Sequence, residues 1–455
     1  RDGTYYDAIV PALVLFYLAD SEMVESMPRQ IDWEADKASV NAPDFVFVPD
    51  GSGGERGGVM KAVRQYYDEL EAPDANAPDV VKLIHWGAGY ILVKPNGRDP
   101  SASFDNDNSM IEPQTVEQIS YVLWAWPHLK QWLPQSFYDR CLDFCLKFWN
   151  PEGGPRGHFT QGGSASKRGA SVLDISPWWD TATYMTTESF DQNIHNPGHM
   201  HPFKGRHAIG HSIVPNLLMH EVALREGLEN PEIYLQAAVK QADWIIKNVD
   251  WNDPRTTKGH RLSEHRTIPN LVWLLQKYPE QAPEGLKNKI IEWAEVAISR
   301  SNNLWDFRKY SDEMWTIPGM NEAGNTFGLP AIALAASWVV DDYIMKHELE
   351  RIAFASIDHM FGRNPMLHAC TPHPKQGFPE IEKGWPKLYK LDTCARLETV
   401  RGNLATMPGS EMYPFDPGKK FRHLEGWCNY GAAWCISLSY LEFDAAQTTP
   451  DVTNN

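Results

Sequence analysis

Apolar residues recur every three or four positions through most of this chain, which is the spacing that places them on one face of an α-helix. Strand-like alternation is scarce, and Asp44–Val48 is the best short candidate. We therefore predict an all-α protein with about twelve helices. Their ranges are Tyr5–Met23, Val59–Leu70, Val80–Leu92, Val116–Leu133, Phe137–Trp149, His207–Leu224, Ile233–Val249, Thr267–Leu275, Leu286–Ile298, Leu329–Tyr343, Leu349–Met360 and Trp427–Leu441.

Turn residues agree with these helix limits. Pro134 precedes one helix, Pro231 opens another, and Gly227 follows a helix end, where a left-handed residue is expected. About twelve helices, paired antiparallel, make six hairpins that can close into a toroid. We expect a single (α/α)6 six-hairpin toroid over residues 1–442 and a polar tail at 443–455. An open helical solenoid is the alternative, although the chain shows no repeat of fixed period.

Three long segments interrupt the helical pattern, at about residues 26–58, 151–206 and 362–422. Connections of this length are usually functional. In a helical toroid such segments gather at one end and build a cleft. We therefore expect the functional site in the loops at that end.

The composition favours a carbohydrate ligand. The chain contains 18 Trp, 17 Tyr and 18 Phe, and Trp is about threefold above its ordinary usage. Most of these rings are expected in a large aromatic core, and the remainder can line a sugar groove. Flat aromatic rings pack against the C–H-rich faces of sugars, while polar groups at the rim bind the hydroxyls. The net charge of −17 argues against nucleic acid, whose phosphates select basic surfaces. No apolar run is long enough to span a membrane.

Five histidines lie between His195 and His211. His207 and His211 are four residues apart, a spacing that suits a metal ion on a helix but also arises by chance. No carboxylate lies within the run, and the chain has no Cys-x-x-Cys pair to support zinc binding elsewhere. We therefore expect no metal and no cofactor, and we assign His199 and His201 to substrate contact.

Two segments near the carboxyl end resemble a known family. Residues 361–365 read Phe-Gly-Arg-Asn-Pro, and residues 425–433 read Glu-Gly-Trp-Cys-Asn-Tyr-Gly-Ala-Ala. Both resemble signature segments of the family 9 glycoside hydrolases, the inverting cellulase-like enzymes. The Trp86-Gly87 pair resembles a helix of the same family, and the likeness follows nearly the whole chain in order. It implies a six-hairpin toroid, an open cleft and hydrolysis of a β-linked polysaccharide or oligosaccharide.

The resemblance implies Glu425 as the general acid, although a glutamate before an apolar helix also suits the helix dipole. The family's base motif is incomplete. Residues 50–54 match its beginning, but Glu55 and Arg56 follow, and the Asp-Ala-Gly-Asp element is missing. Inverting hydrolysis needs a second carboxylate that holds a water molecule across the sugar ring. Asp50 or Glu55 is the expected substitute.

Substrate binding is expected from aromatic, histidine and arginine side chains of the long segments and of the segments that carry the resemblance. The residues we select are Trp178, Trp179, Tyr184, His199, His201, Arg56, Arg363 and Tyr430. The family also implies a secreted or periplasmic location, although no signal peptide is visible. An immunoglobulin-like domain often precedes the opening helix in this family, which leaves room for one ahead of the chain.

Two alternatives stay open. A polysaccharide lyase on the same toroid abstracts a proton next to a uronate carboxyl, using a tyrosine or a histidine, and the incomplete base motif makes this reading relevant. Arg56 or Arg363 would then bind the uronate. The second alternative is a relative that kept the glycan-binding groove and lost the chemistry.

Overall fold

The computed structural model describes residues 9–43, 63–93, 113–149, 210, 213–252, 267–306, 308–309, 327–360 and 429–446. Regular structure in these ranges is helical, which confirms the all-α prediction, and the predicted strand Asp44–Val48 lies outside them. The helices are α1 (Ile9–Ala19), α2 (Ser21–Ser26), α3 (Trp33–Asn41), α4 (63–69), α5 (Asp79–Val93), α6 (Pro113–Trp124), α7 (Trp126–Leu129), α8 (Gln135–Phe148), α9 (Ile213–Glu226), α10 (Glu232–Asn248), α11 (Ile268–Lys277), α12 (Leu286–Ser301), α13 (Leu329–Ser337), α14 (Tyr343–Met360) and α15 (Asn429–Ala446).

The chain divides into two compact units. Unit 1 comprises Arg1–Ile175, Val214–Ala238 and Pro450–Asn455, and unit 2 comprises Ser176–Ile213 and Val239–Thr449. The expected polar tail begins at residue 443, but α15 continues to Ala446, so the first residues of that tail are helical. The single-domain toroid stays a prediction.

In unit 1, the apolar helix α1 packs against α5 and α6, and α8 packs against the same two helices. None of the residues of α1 is exposed, and Leu83 is the exposed residue of α5. By contrast, α8 buries Phe137, Cys141 and Phe144 on one face and exposes charged residues on the other. Unit 1 therefore combines fully covered helices with an amphipathic helix at its surface.

Three helix boundaries differ from the sequence prediction. The predicted helix Tyr5–Met23 is broken because the Asp20 carboxylate accepts a hydrogen bond from Met23 N at 2.8 Å and starts α2. Similarly, Val116–Leu133 is interrupted at Ala125, ahead of the short helix α7. Residues 338–342 are not helical, because the Asp342 carboxylate accepts from Met345 N at 2.8 Å and starts α14.

Helix α3 was not predicted, because its residues fall within the segment assigned to a long loop. It buries little more than Val40, so its apolar periodicity is weak. The Asp32 carboxylate starts the helix by accepting from Ala35 N at 3.0 Å. The chain just before it is held by Asp79, whose carboxylate accepts from the backbone N–H groups of Gln30 and Ile31.

In unit 2, α13 is the central helix. All nine of its residues are buried, and it packs against α11, α12, α14 and α15. Its first turn is tied to α15, because the Ser437 hydroxyl donates to Phe327 O at 2.6 Å and accepts from Ala331 N at 3.4 Å. Ser437 is itself fully buried, so these bonds are shielded from water.

Short and long connections alternate along the chain. Short ones join α4 to α5, α6 to α8, α9 to α10, α11 to α12 and α13 to α14, through residues 70–78, 125–134, 227–231, 278–285 and 338–342. As predicted, Gly227 is left-handed at the end of α9, with φ +66°. Long segments separate the pairs, at 94–112, 150–212, 249–267, 302–328 and 361–428. Since short connections make antiparallel pairs, the start of the first helix and the end of the second helix of each pair lie at the same end.

The α4–α5 contact predicts opposite effects of two glycine substitutions. A Cβ at Gly89 would lie 2.5 Å from a Tyr66 ring carbon and 2.6 Å from a Leu70 methyl, whereas Gly431 has nothing within 4 Å. Gly89→Ala should therefore destabilise the protein by about 1–3 kcal/mol through overpacking. Gly431→Ala should leave stability unchanged or raise it by up to about 1 kcal/mol, through helix propensity.

Urea unfolding followed by circular dichroism measures both effects. Equal stability of the Gly89→Ala variant and the wild type would contradict the close approach of α4 and α5.

Candidate functional site

A pocket of about 300 Å³ opens in unit 1 between α3, α4 and α5. Its lining is mainly aromatic and aliphatic, with one carboxylate and one ammonium group. The lining residues are Ile31, Trp33, Asp36, Tyr66, Tyr67, Pro73, Lys82, Leu83 and Trp86. A concave, mostly apolar pocket with a few convergent polar groups is typical of a small-molecule site.

Aromatic rings from all three helices form the wall. Trp33 of α3 lies 5.0 Å from Tyr66 and 4.8 Å from Tyr67, measured between ring centroids. The two tyrosines of α4 are 4.9 Å apart and nearly perpendicular, at 82°. Trp86 of α5 lies 6.2 Å from Tyr66. These distances are those preferred by aromatic pairs, so the rings fix one another's positions.

A buried histidine supports this wall. The Tyr66 hydroxyl lies 2.6 Å from Nδ1 of His85, whose side chain is completely buried against the ring of Phe137. Burial lowers the pKa of His85 to about 3, although the Glu71 carbonyl opposes this shift. Burial also raises the pKa of Tyr66 well above its usual value. The hydrogen-bonded pair is therefore neutral at physiological pH.

Lys82 and Asp36 supply the charges of the pocket. The Lys82 ammonium is nearly buried and donates to Ile31 O at 2.8 Å and to Ala75 O at 2.9 Å, which uses two of its three N–H bonds. Asp36 is exposed. Its pKa is raised by partial desolvation and by the Asp32 carboxylate, and Lys82 opposes the shift. The pocket thus offers a hydrogen-bond acceptor and a donor whose charges offset each other.

The pocket lies toward the short connection of the α4–α5 pair. Pro73 belongs to that connection, and Lys82, Leu83 and Trp86 lie in the first half of α5. Residue 63, where α4 begins, and Val93, where α5 ends, lie at the other end of the pair. Asp36 is the one carboxylate among the described lining residues, so the pocket can bind a ligand but lacks the carboxylate pair that glycoside hydrolysis needs.

Buried polar side chains fix the points where the long segments leave the helices. In unit 1, Asn216 accepts from Trp149 Nε1 at 3.0 Å, next to the start of segment 150–212. In unit 2, Asn270 donates to Gly210 O at 2.9 Å, and the Arg300 guanidinium donates to Asn252 O at 2.6 Å. The Ser437 hydroxyl donates to Phe327 O at 2.6 Å, at the end of segment 302–328. Both ends of segment 150–212, the start of segment 249–267 and the end of segment 302–328 are therefore held by the helical scaffold.

The residues selected from the sequence mostly lie outside the described ranges. Tyr430 is the second residue of α15. Outside the ranges lie Glu425, Glu55, Asp50, Arg56, Trp178, Trp179, Tyr184, His199, His201 and Arg363, together with most of the histidine run, so their roles stay predictions. Conversely, Trp33, Tyr66 and Tyr67 were not selected. Two features of the sequence could have indicated the pocket: the adjacent tyrosines at 66 and 67 and the high aromatic content. Trp86 was singled out only because the Trp-Gly pair resembles a helix of the family.

Two further properties concern the described part of the chain. It contains no group of three or more His, Cys, Asp or Glu arranged to hold a metal ion. Its helices include none with the length and apolar character of a membrane span. Cys141 and Cys145, four residues apart on α8, are buried free thiols, and burial raises the pKa of both.

The buried His85 predicts a loss of stability in acid. Its pKa is about 3 in the folded protein and 6.5 in the unfolded chain, so the unfolded state binds the additional proton between these values. Stability should fall as the pH drops from 6.5 toward 3, by up to about 1.4 kcal/mol per pH unit from this group. His85→Gln keeps an acceptor for Tyr66 and removes the titration, so its unfolding free energy should depend less steeply on pH.

Urea unfolding between pH 7 and pH 4 measures this difference. The control is Gly431→Ala in α15, which removes no titratable group and should keep the wild-type pH dependence. If the unfolding free energies of His85→Gln and the wild type depend equally on pH, His85 is not the buried neutral group described above.

Comparison with known proteins leaves the family open. No protein-family model and no curated protein sequence matches this chain. The resemblance to the family 9 glycoside hydrolases stays a prediction, made from residues 361–365 and 425–433 and their order along the chain.

Proposed function

We propose that this chain is a glycoside hydrolase that cleaves a β-linked polysaccharide or oligosaccharide on an (α/α)6 six-hairpin scaffold. The observation that carries the proposal is the alternation of short and long connections. Five helix pairs with short connections follow one another, and α1, α2, α3 and α15 lie outside these pairs. A six-hairpin toroid needs six antiparallel pairs, and we propose that the sixth comes from the remaining helices.

The position of the proposed acid supports the same reading. Glu425 precedes the first residue of α15, Asn429, by one helical turn in sequence. Asp50 and Glu55 lie in segment 44–62, which leads into α4. In the proposed toroid both segments enter their helices from the end opposite the short connections. The acid and a second carboxylate then share one cleft.

The proposed chemistry is inverting hydrolysis. Glu425 donates its proton to the glycosidic oxygen as the bond to the anomeric carbon breaks, and a water molecule attacks that carbon from the other face. Asp50 or Glu55 accepts the proton from the water. The acid role requires that Glu425 be protonated, which an apolar setting would favour because desolvation raises the pKa of a carboxyl group; Trp427 and Trp434 are close to Glu425 in sequence.

The fixed bases of the long segments support substrate binding by these segments. Asn270 and Asn216 hold the two ends of segment 150–212, which contains Trp178, Trp179, Tyr184, His199 and His201. Binding residues are commonly placed on loops that a rigid scaffold positions. We propose that these aromatic and histidine side chains form sugar subsites, with Arg56, Arg363 and Tyr430 completing the cleft. A secreted or periplasmic location fits this activity and belongs to the same proposal.

The proposal predicts the effect of Glu425→Gln. On a panel of neutral and uronate-containing glycans, the wild type should release reducing ends from a neutral β-glycan without ultraviolet absorbance from unsaturated products. Glu425→Gln should lower kcat by at least about 100-fold, the usual contribution of a general acid. Glu442→Gln, at an exposed glutamate of α15, is the matched control and should keep full activity.

Two outcomes would overturn the assignment. Absorbance that rises with the reducing ends and survives the Glu425 substitution identifies a lyase. Reducing ends released at the wild-type rate by Glu425→Gln exclude Glu425 as the acid.

A further inference from the structure

We propose that the pocket between α3, α4 and α5 binds one ring of a neutral sugar, as a site additional to the hydrolytic cleft. The proposal goes beyond the proposed function, because binding in this pocket requires neither Glu425 nor the long segments. It rests on the shape of the pocket, on its polar groups and on its position within the α4–α5 pair.

The aromatic surface suits a sugar face. Tyr66 and Tyr67 are buried and form the back of the pocket, whereas Trp33 and Trp86 are half-buried and present ring surface toward solvent. Leu83, 43% exposed, lies at the opening. The volume of about 300 Å³ is at the lower end of the range for small-molecule sites, which suits one sugar ring.

The polar groups favour a hydroxyl over a charged ligand group. Asp36 accepts hydrogen bonds, and Lys82 has one N–H bond left after binding Ile31 O and Ala75 O. A hydroxyl both donates and accepts, so it can satisfy the two groups together. An organic cation would use the aromatic rings and Asp36 but would be repelled by Lys82. An anion would be repelled by Asp36. A neutral polyhydroxylated ring suits the aromatic rings, Asp36 and Lys82 together.

The pocket is also preorganised. Mutual ring packing fixes Trp33, Tyr66 and Tyr67, and the hydrogen bond to His85 fixes the Tyr66 hydroxyl. The backbone that leads into α3 is bound by the Asp79 carboxylate. Little conformational freedom is therefore lost when a ligand enters, so a shallow pocket can still bind a sugar measurably.

The position of the pocket gives it a distinct role. It lies toward the short connection of the α4–α5 pair, whereas Asp50 and Glu55 precede residue 63, at the start of α4 and the other end of the pair. A polysaccharide held at both places stays near the enzyme after each cleavage, because the second contact raises its effective concentration. This arrangement favours long chains over short oligosaccharides.

Fluorine NMR of the full chain labelled with 5-fluorotryptophan tests the site directly. The Trp33 and Trp86 signals are assigned with Trp33→Phe and Trp86→Phe. The labelled protein carries Glu425→Gln, so that the sugar probes are not cleaved. These probes are cellobiose, xylobiose and mannobiose, and choline is the cation probe. At least one disaccharide should shift both signals saturably, and choline should require a higher concentration.

Two substitutions at exposed positions report on the pocket without disturbing the core. Leu83→Arg should weaken the sugar-dependent shift at least tenfold by closing the opening, and Asp36→Asn should weaken it by up to about tenfold through loss of a charged acceptor. Leu224→Arg is the matched control, at an exposed leucine of α9 that does not line the pocket, and it should have no effect.

The results separate this proposal from the hydrolase proposal. Any one of three results would overturn the sugar site. The first is that no disaccharide shifts the Trp33 and Trp86 signals, and the second is that choline shifts them at a lower concentration than the disaccharides do. The third is that Leu83→Arg and Leu224→Arg have equal effects. Saturable shifts in a protein that hydrolyses no glycan would retain the sugar site and overturn the hydrolase assignment alone.

Discussion

A helix that is apolar on every face is stable in water only when other helices cover it completely. Helix α13 is such a helix, and α11, α12, α14 and α15 surround it in unit 2. Helix α1 has a similar role in unit 1, where α5 and α6 pack against it. This requirement for cover explains why the amphipathic helices pair with the apolar ones, and the short connections keep each pair antiparallel.

The same helices carry the polar groups that position the long segments. Asn216, Asn270, Arg300 and Ser437 are buried, and each binds a residue at the base of such a segment. A buried polar group without a partner is costly, so each of these residues strongly favours one local chain path. The helical scaffold thus determines where the long segments start and end, and the chemistry proposed for them depends on that placement.

Much of the helical scaffold could be predicted from periodicity, because α5, α8, α10 and α12 each bury a clear apolar face. Helix α3 could not, since it buries little beyond Val40 and depends on contacts with Asp79 and Lys82, which are remote in sequence. The breaks at Asp20 and Asp342 depend on side-chain capping, which periodicity does not register. The aromatic pocket was missed for a related reason: its residues come from three helices, and only the tertiary packing brings Trp33 close to Tyr66 and Trp86. The catalytic residues inferred from the motifs lie outside the described ranges and stay predictions.

The proposed hydrolysis requires that Glu425 face a second carboxylate across a sugar-binding cleft. A crystal structure of the wild-type chain with a non-hydrolysable, sulfur-linked β-oligosaccharide would test this arrangement. We expect the Glu425 carboxyl within hydrogen-bond distance of the linking sulfur, and Asp50, Glu55 or another carboxylate about 6.5–9.5 Å from it on the opposite face of the ring. A Glu425 side chain that points to solvent away from the bound sugar would contradict it.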